Sequence, residues 1–226
     1  MPRRRRAIVA GGCYHVINRG NNRSTVFLDH RDYAAFFDLL IAVQRIVGLE
    51  MLAACLMPNH FHFVVRTAGG GDVSRWMHRL LTTHTHRHHA RYNSVGRVWQ
   101  GRYKAFPIEQ DGHLLTVMRY VERNALRAGL VERAQDWEWG SLAWRFGSSF
   151  DGPIASPPVA LPSNWVEFVN ASQTAEELEA IRASVNRQSP YGSEDWSSAT
   201  QPGLAYEGSG RPPGRPRKSG TAAPVG

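Results

Sequence analysis

Met57-Pro58-Asn59-His60-Phe61-His62-Phe63-Val64-Val65 is the stretch on which the reading of this chain turns. Its apolar residues run on from Leu49–Met57 across Pro58-Asn59, a turn dipeptide, so the spacing predicts two strands joined as a hairpin, Leu49 to Met57 and His60 to Thr67. On a strand, successive side chains point to opposite faces. His60 and His62 then share one face, and Phe61 takes the other. Two neutral imidazoles side by side on a rigid strand are half of a metal site and need a further oxygen or nitrogen ligand from elsewhere. Two strand histidines hydrogen-bonded at a sheet surface fit the same residues.

Working outward, Cys13 to Arg19 alternates as a strand and Gly20-Asn21-Asn22-Arg23 is a turn signal. Asp29 or His30 opens a helix whose Phe36, Phe37, Leu40, Ile41, Val43 and Val47 keep the 3.6-residue period, and Gly48 ends it. Asp72 is expected to cap a second helix running to about Tyr92. Arg97 to Ile108 reads as extended, and Asp111 as the start of a third helix ending at Gly129. Strand, helix, strand, strand, helix, strand, helix is the order of a split β-α-β unit: an α+β, ferredoxin-like antiparallel sheet with helices packed on it.

The composition breaks near residue 150. Residues 1–150 form the expected domain and 151–188 a short, partly helical extension with its helix around Thr174 to Asn186. The Gly-, Pro- and Ser-rich stretch 189–226 is expected to be a disordered basic tail. Within it, Gly210 to Lys218 is similar to an AT-hook, in which Arg215 and Arg217 would enter a narrow minor groove; nonspecific phosphate attraction is the alternative.

The 226 residues carry a formal net charge of +8, and Lys104 and Lys218 apart, the 27 basic residues are arginines. That balance favours a polyanionic partner, nucleic acid above all, and suits bidentate phosphate contacts. Cys13 and Cys55 lie in apolar strand-like segments without CxxC spacing, which reads as reduced core thiols in a cytoplasmic protein. Arg3–Arg6 followed by Ala7–Cys13 has the outline of an export signal, but its apolar run is too short. No segment approaches the ~18 apolar residues of a membrane span.

In the third helix, Leu114, Val117, Met118 and Val121 make the buried stripe. Tyr120 and Asn124, four apart, are neighbours on another face, with Arg123 and Arg127 close by. A phenol, an amide oxygen and guanidinium groups one turn apart are a set that phosphoryl transfer could use. A tyrosine packed at a helix–sheet boundary beside a solvated asparagine is the plain alternative. Tyr14 and Tyr103 are rival nucleophiles by composition. Trp99, Arg102, Tyr103 and Lys104, where aromatic and basic residues interleave, are candidate single-strand DNA contacts, as are Arg19, Asn21 and Arg23 at the turn. His84 and His88 have helical i, i+4 spacing, but without a nearby acidic or cysteine partner they read as polar helix surface.

Taken together, Tyr14–Arg23 (YHVINRGNNR), Met57–His62 (MPNHFH), Val98–Lys104 (VWQGRYK), Tyr120–Val131 (YVERNALRAGLV) and Trp139–Leu142 (WGSL) resemble the single-tyrosine HUH transposases of bacterial insertion sequences. The closer resemblance is to their domesticated branch, the REP-associated tyrosine transposases, and covers residues 8 to 146. It implies Tyr120 as nucleophile, with His60, His62 and Asn124 as ligands of Mg²⁺ or Mn²⁺. It also implies single-stranded or hairpin DNA of palindromic repeats as substrate, cleaved and rejoined through a 5′-phosphotyrosine link; Arg123 and Arg127, read from the helix itself, would hold phosphate oxygens of that DNA. Asn124 stands where some relatives carry glutamine, and neutral ligands leave the ion's identity open. Monomer and homodimer both remain open, as does a hairpin-binding protein that does no chemistry.

Overall fold

The computed structural model describes residues 8–69, 71–147 and 152–203. Four strands, β1 (Cys13–Arg19), β2 (Glu50–Met57), β3 (His60–Arg66) and β4 (Lys104–Ile108), form an antiparallel sheet in the order β2-β3-β1-β4. Helix α1 (His30–Val47) links β1 to β2, and α2 (Asp72–Tyr92) links β3 to β4. This is the split β-α-β order read from the sequence, with β1 and β3 central.

Local chemistry sets the ends of these elements. The Asp29 carboxylate caps α1 by accepting the Asp32 N–H at 3.2 Å, and Gly48, at φ +71°, closes it with its N–H on the Gln44 carbonyl. Pro58-Asn59 makes the β2–β3 turn as expected, and the Pro58 carbonyl accepts the N–H groups of Val26 and Phe27. At the end of β1, a side chain on Gly20 would come within 2.2 Å of the Ser24 carbonyl oxygen, so the turn needs glycine. Asp72 is not the cap of α2: Gly71 occupies that place, and the Asp72 carboxylate instead accepts the Gly69 N–H. Of the extended segment 97–108, only Lys104–Ile108 pairs as a strand; before it the backbone forms an isolated bridge between Gly20 and Trp99.

Both faces of the sheet are covered, so its strands read as near-continuous apolar runs. Phe61, Phe63, Val65, Tyr14 and Val16 pack on one face against α1 and α2, with Phe36 and Trp76 fully buried among them. Each such side chain contributes about 1.5–3 kcal/mol by leaving water. The opposite face, carrying Cys13, Ala53, Cys55 and Val64, receives α3 (Gly112–Glu122) through Leu114, Val117, Met118 and Val121. The two cysteines are free and buried, and burial pushes each thiol up to about 12.

The third helix differs from the uninterrupted one expected to Gly129. It ends at Glu122, the backbone ladder is interrupted at Arg123, which itself stays in the right-handed helical region (φ −80°, ψ −3°), and a single turn, α4 (Asn124–Arg127), resumes beyond it. The chain continues through α5 (Ser141–Phe146), α6 (Trp165–Asn170), α7 (Ala175–Arg187) and α8 (Glu194–Thr200). Helix α7 carries the Thr174–Glu177 capping box and matches the helix read around Thr174–Asn186.

Residues 189–203 depart from the disordered tail expected of them. The Tyr191 N–H donates to the Pro107 carbonyl at 2.9 Å and the Tyr191 carbonyl accepts the Glu109 N–H at 3.0 Å, so this segment pairs with the open edge of β4. The Ser193 side chain then caps α8. The AT-hook-like segment with Arg215 and Arg217 lies outside the described residues.

One buried carboxylate ties this face together. Glu122, 1 % exposed, accepts from Ser141 Oγ at 2.7 Å and from Trp165 Nε1 at 2.7 Å, and Ser141 Oγ in turn accepts the Ala54 N–H of β2 at 2.9 Å. Burial raises the Glu122 carboxyl above its ordinary value, only partly opposed by these donors and by Arg145. Its ionisation therefore costs the folded state stability as pH rises from the ordinary glutamate value through the raised one. Glu122→Ala is expected to cost about 2–4 kcal/mol by stranding two buried donors. Glu122→Gln is expected to trail wild type by less at pH 7.5 than at pH 4, read by urea denaturation. A wild-type-minus-Gln difference that does not change with pH would contradict this account.

Candidate active site

The strand period places His60 and His62 on the face that α3 covers, as expected from the sequence. His62 is 5 % exposed and His60 half-buried, with ring centroids 5.1 Å apart. The turn before β3 fixes the ring of His60. Asn59 Nδ2 donates to the Arg23 carbonyl at 2.9 Å, leaving Asn59 Oδ1 to accept from His60 Nδ1 at 2.7 Å. An amide oxygen only accepts, so the His60 proton sits on Nδ1 and its Nε2 carries the lone pair. Asn22 and Arg23, in the turn after β1 that Asn59 contacts, lie in the left-handed region at φ +52° and +61°.

His62 is linked to a residue that the sequence reading did not single out. His15 of β1 lies diagonal to it across the strand pair, because Ile17 is the residue directly opposite His62. His15 Nε2 and His62 Nδ1 are 2.9 Å apart in a buried hydrogen bond. Burial pushes His15 down to about 3 and His62 well below its ordinary value, while burial and the charges of Arg19 and Arg127 push His60 down to about 4. All three imidazoles are therefore neutral at pH 7, the state a metal ligand requires.

Tyr120, 8 % exposed, sets its ring edge-on to both His62 (5.8 Å between centroids) and His15 (6.1 Å). The Arg127 guanidinium lies 4.1 Å from the centre of the Tyr120 ring. It donates through Nη2 to Asn124 Oδ1 at 2.9 Å and through Nη1 to the Tyr120 carbonyl at 3.3 Å, bridging the break at Arg123. A guanidinium has donors only, so this contact identifies the Asn124 atom as oxygen. Asn124 Nδ2 is buried without a partner. Tyr120, His60 and His62 thus meet in one chain, and Asn124 joins them through Arg127.

The candidate DNA contacts divide. Arg19, Arg102 and Lys104 line one open cavity of about 330 Å³ with Ile17, Asn18 and Gln100, walled on its far side by Val185 and Asn186 of α7. Arg19 is exposed at the end of β1, directly opposite His60, so this cavity adjoins the histidine pair. Asn21 and Arg23 are at the turn, Asn21 with its N–H on the Val98 carbonyl.

The others are corrected. Trp99 is 6 % exposed and packs among Phe27, Phe36, Phe61 and His84. Tyr103, equally buried, has its hydroxyl 2.8 Å from Ser74 Oγ and packs in the cluster of Phe61 and Phe63, on the sheet face opposite the histidine pair. The rival Tyr14 is likewise buried, its hydroxyl accepting the Val9 N–H. Arg123 turns inward and donates to the carbonyls of Val169 and Asn170. Arg127, half-buried, is committed within the site, its third contact being Gln173 Oε1 at 3.4 Å. Arg119 follows the same pattern, gripping the carbonyls of Ala171 and Ser172. One row of arginines on α3 and α4 thereby fastens the extension rather than facing solvent.

His84 is a core histidine in an aromatic cluster, and among the described residues it belongs to no group of converging acidic, cysteine or histidine ligands. Among the described residues, Glu109, Asp111 and His113 do bring three donor atoms together, at the start of α3. There the carboxylates are occupied as a helix cap and by the Ser193 N–H. No helix among the described residues is long and apolar enough to cross a membrane.

Residues 9–124 match the family described as "Transposase IS200 like". The chain belongs to this family. A search of the curated proteins gives no match. Among solved structures, a REP-associated tyrosine transposase bound to a REP hairpin is similar at 22 % identity and a TM-score of 0.55, covering 72 % of this transposase and 96 % of that chain. A putative transposase from Deinococcus radiodurans R1 aligns at 20 % identity and a TM-score of 0.38, covering 54 % and 96 % of the two chains. The first shares the fold of this transposase: an antiparallel sheet with helices packed on it.

Burial separates the aromatic and basic members of the segment 99–104. Trp99→Ala is expected to lower stability by about 3–5 kcal/mol in urea denaturation, as a large core truncation does. Arg102→Ala, at an exposed position, should leave the unfolding midpoint in place. Equal midpoints for wild type and Trp99→Ala would show that the indole is not core.

Proposed function

We propose that this transposase cleaves and rejoins single-stranded or hairpin DNA of palindromic repeats, with Tyr120 as nucleophile. The observation that carries the proposal is the Tyr120 ring set edge-on to His62, on the strand face it shares with His60, within a single chain. Family membership supports the reaction class. The similar REP-associated tyrosine transposase, bound to a REP hairpin, supports hairpin DNA as the substrate class.

The donor set fits a divalent cation. His60 and His62 are neutral, and the proton on His60 Nδ1 leaves Nε2 available. The Asn124 oxygen keeps a second lone pair beside the one Arg127 occupies. These three residues would hold the ion, and two imidazoles suit Mn²⁺ better than Mg²⁺. When bound it polarises a non-bridging oxygen of the scissile phosphate.

In the reaction, the Tyr120 hydroxyl oxygen forms a bond to phosphorus as the bond from phosphorus to the 3′ oxygen breaks. The proton of the phenol ends on the departing 3′ oxygen, and the downstream strand stays on the tyrosine through its 5′ phosphate. Reversal by a 3′-hydroxyl rejoins the strand without an outside energy source. Arg19, Arg102 and Lys104 hold backbone phosphates of the unpaired strand leading to the site, in the cavity beside His60. The Arg127 charge beside both imidazoles also favours a phosphate there, which couples the site to DNA. Because one chain holds both nucleophile and histidines, a monomer suffices.

Incubation with a hairpin oligonucleotide bearing single-stranded flanks and Mn²⁺ is expected to give a covalent adduct on a denaturing gel. Tyr120→Phe, His62→Ala or EDTA should abolish it. Binding without an adduct in any divalent metal would overturn the enzymatic reading in favour of a hairpin-binding protein, and an adduct that survives Tyr120→Phe would overturn the nucleophile. Arg19→Ala, Arg102→Ala and Lys104→Ala should each lower the slope of log K against log salt by about 0.7, one single-strand phosphate apiece.

A further inference from the structure

His60 and His62 belong to the site for a shared reason, and its parts differ in kind. The Nδ1–H of His60 is held by an amide oxygen that can only accept, so the ring is fixed with Nε2 free. His62 has no such partner at the turn. What faces its Nδ1 is another imidazole, His15 Nε2 at 2.9 Å, and an imidazole nitrogen can donate or accept. One of the two must carry the shared proton. If His62 carries it, the lone pair of His62 is on Nε2. If His15 carries it, the lone pair of His62 points at His15 and is lost to any ligand.

Packing leaves His15 little freedom. It is 3 % exposed and lies side by side with His62, centroids 5.1 Å and planes 26° apart, edged by Phe106 at 6.2 Å and Tyr120 at 6.1 Å. A polar ring buried among apolar strand residues costs stability unless it is hydrogen-bonded, and the bond His15 makes is the one to His62. Its diagonal place follows from the β1–β3 register, which sets Ile17 opposite His62.

We propose that His15 is a positioning residue of the active site: its Nε2 accepts the Nδ1–H of His62 and so presents His62 Nε2 to the divalent cation. The inference rests on the proposed metal-holding role of His60 and His62. It adds a buried hydrogen-bond partner to each ligand ring, Asn59 for His60 and His15 for His62, the arrangement that orients ligating imidazoles and sets their tautomer. It also places one imidazole against both the metal-holding ring and the nucleophile's ring, so a shift of β1 reaches both.

Two measurements on the full chain test this. The first is Mn²⁺ binding by calorimetry without DNA, with circular dichroism confirming the fold of each variant. His62→Ala should abolish binding, His15→Leu should weaken it about 10–100-fold, and His15→Gln, whose Oε1 can accept the same proton, should restore most of the affinity. Wild type and His62→Ala binding Mn²⁺ equally would overturn the metal reading itself. Loss of binding in His62→Ala with unchanged affinity in His15→Leu would leave that reading standing and overturn the role of His15. The second needs no variant: ¹⁵N–¹H spectra of histidine-labelled wild type should show His62 protonated on Nδ1 and His15 bearing its lone pair on Nε2. The reverse assignment would contradict the proposal.

Discussion

The carboxylate of Glu122 is the point on which the position of Tyr120 depends. It is the last residue of α3, two beyond Tyr120, and its oxygens take the Ser141 hydroxyl and the Trp165 indole N–H. Through Ser141 it reaches the Ala54 N–H of β2, and through Trp165 it reaches α6. A buried acceptor with two donors from separate elements has one satisfied arrangement, so the end of α3 has one place on the sheet. Tyr120 inherits that place and meets His62 there. The arginine row works from the other side. Arg119 and Arg123 bind carbonyls of residues 169–172, so the extension clasps the helix carrying the tyrosine.

The break at Arg123 gives this end of the helix its function. An uninterrupted helix would spend its carbonyls on its own ladder. Here the Tyr120 carbonyl takes Arg127, whose guanidinium also covers the Tyr120 ring and fixes the oxygen of Asn124. One cation thus holds Tyr120 and Asn124 together while standing beside two neutral imidazoles. Such a site is electrostatically incomplete without an anion, and a DNA phosphate is the anion the proposed reaction brings.

Much of this was legible in the sequence because it follows from short periods. The period of two put His60 and His62 on one face, and the 3.6-residue period gave α1, α3 and the neighbourhood of Tyr120 and Asn124. What stayed hidden depends on register or on distant partners. His15 becomes a neighbour of His62 only once Ile17 is known to lie opposite His62. Trp99 and Tyr103 lie where the chain has no regular period, so nothing local says that they turn inward rather than toward DNA. Arg123 and Arg127 look like a solvent-facing row until residues 169–173 are seen to cover them. Residues 189–203 have a loop's composition, yet the open edge of β4 supplies backbone partners that composition cannot reveal.

The central claim is that one face of this sheet joins a histidine pair and a tyrosine into a single metal-dependent site. Anomalous diffraction from a crystal of the protein with Mn²⁺ tests it most directly. The account predicts a peak bonded to the Nε2 atoms of His60 and His62, on the side of Tyr120 and Asn124. A peak at Glu109, Asp111 and His113 with none at the histidine pair would contradict it.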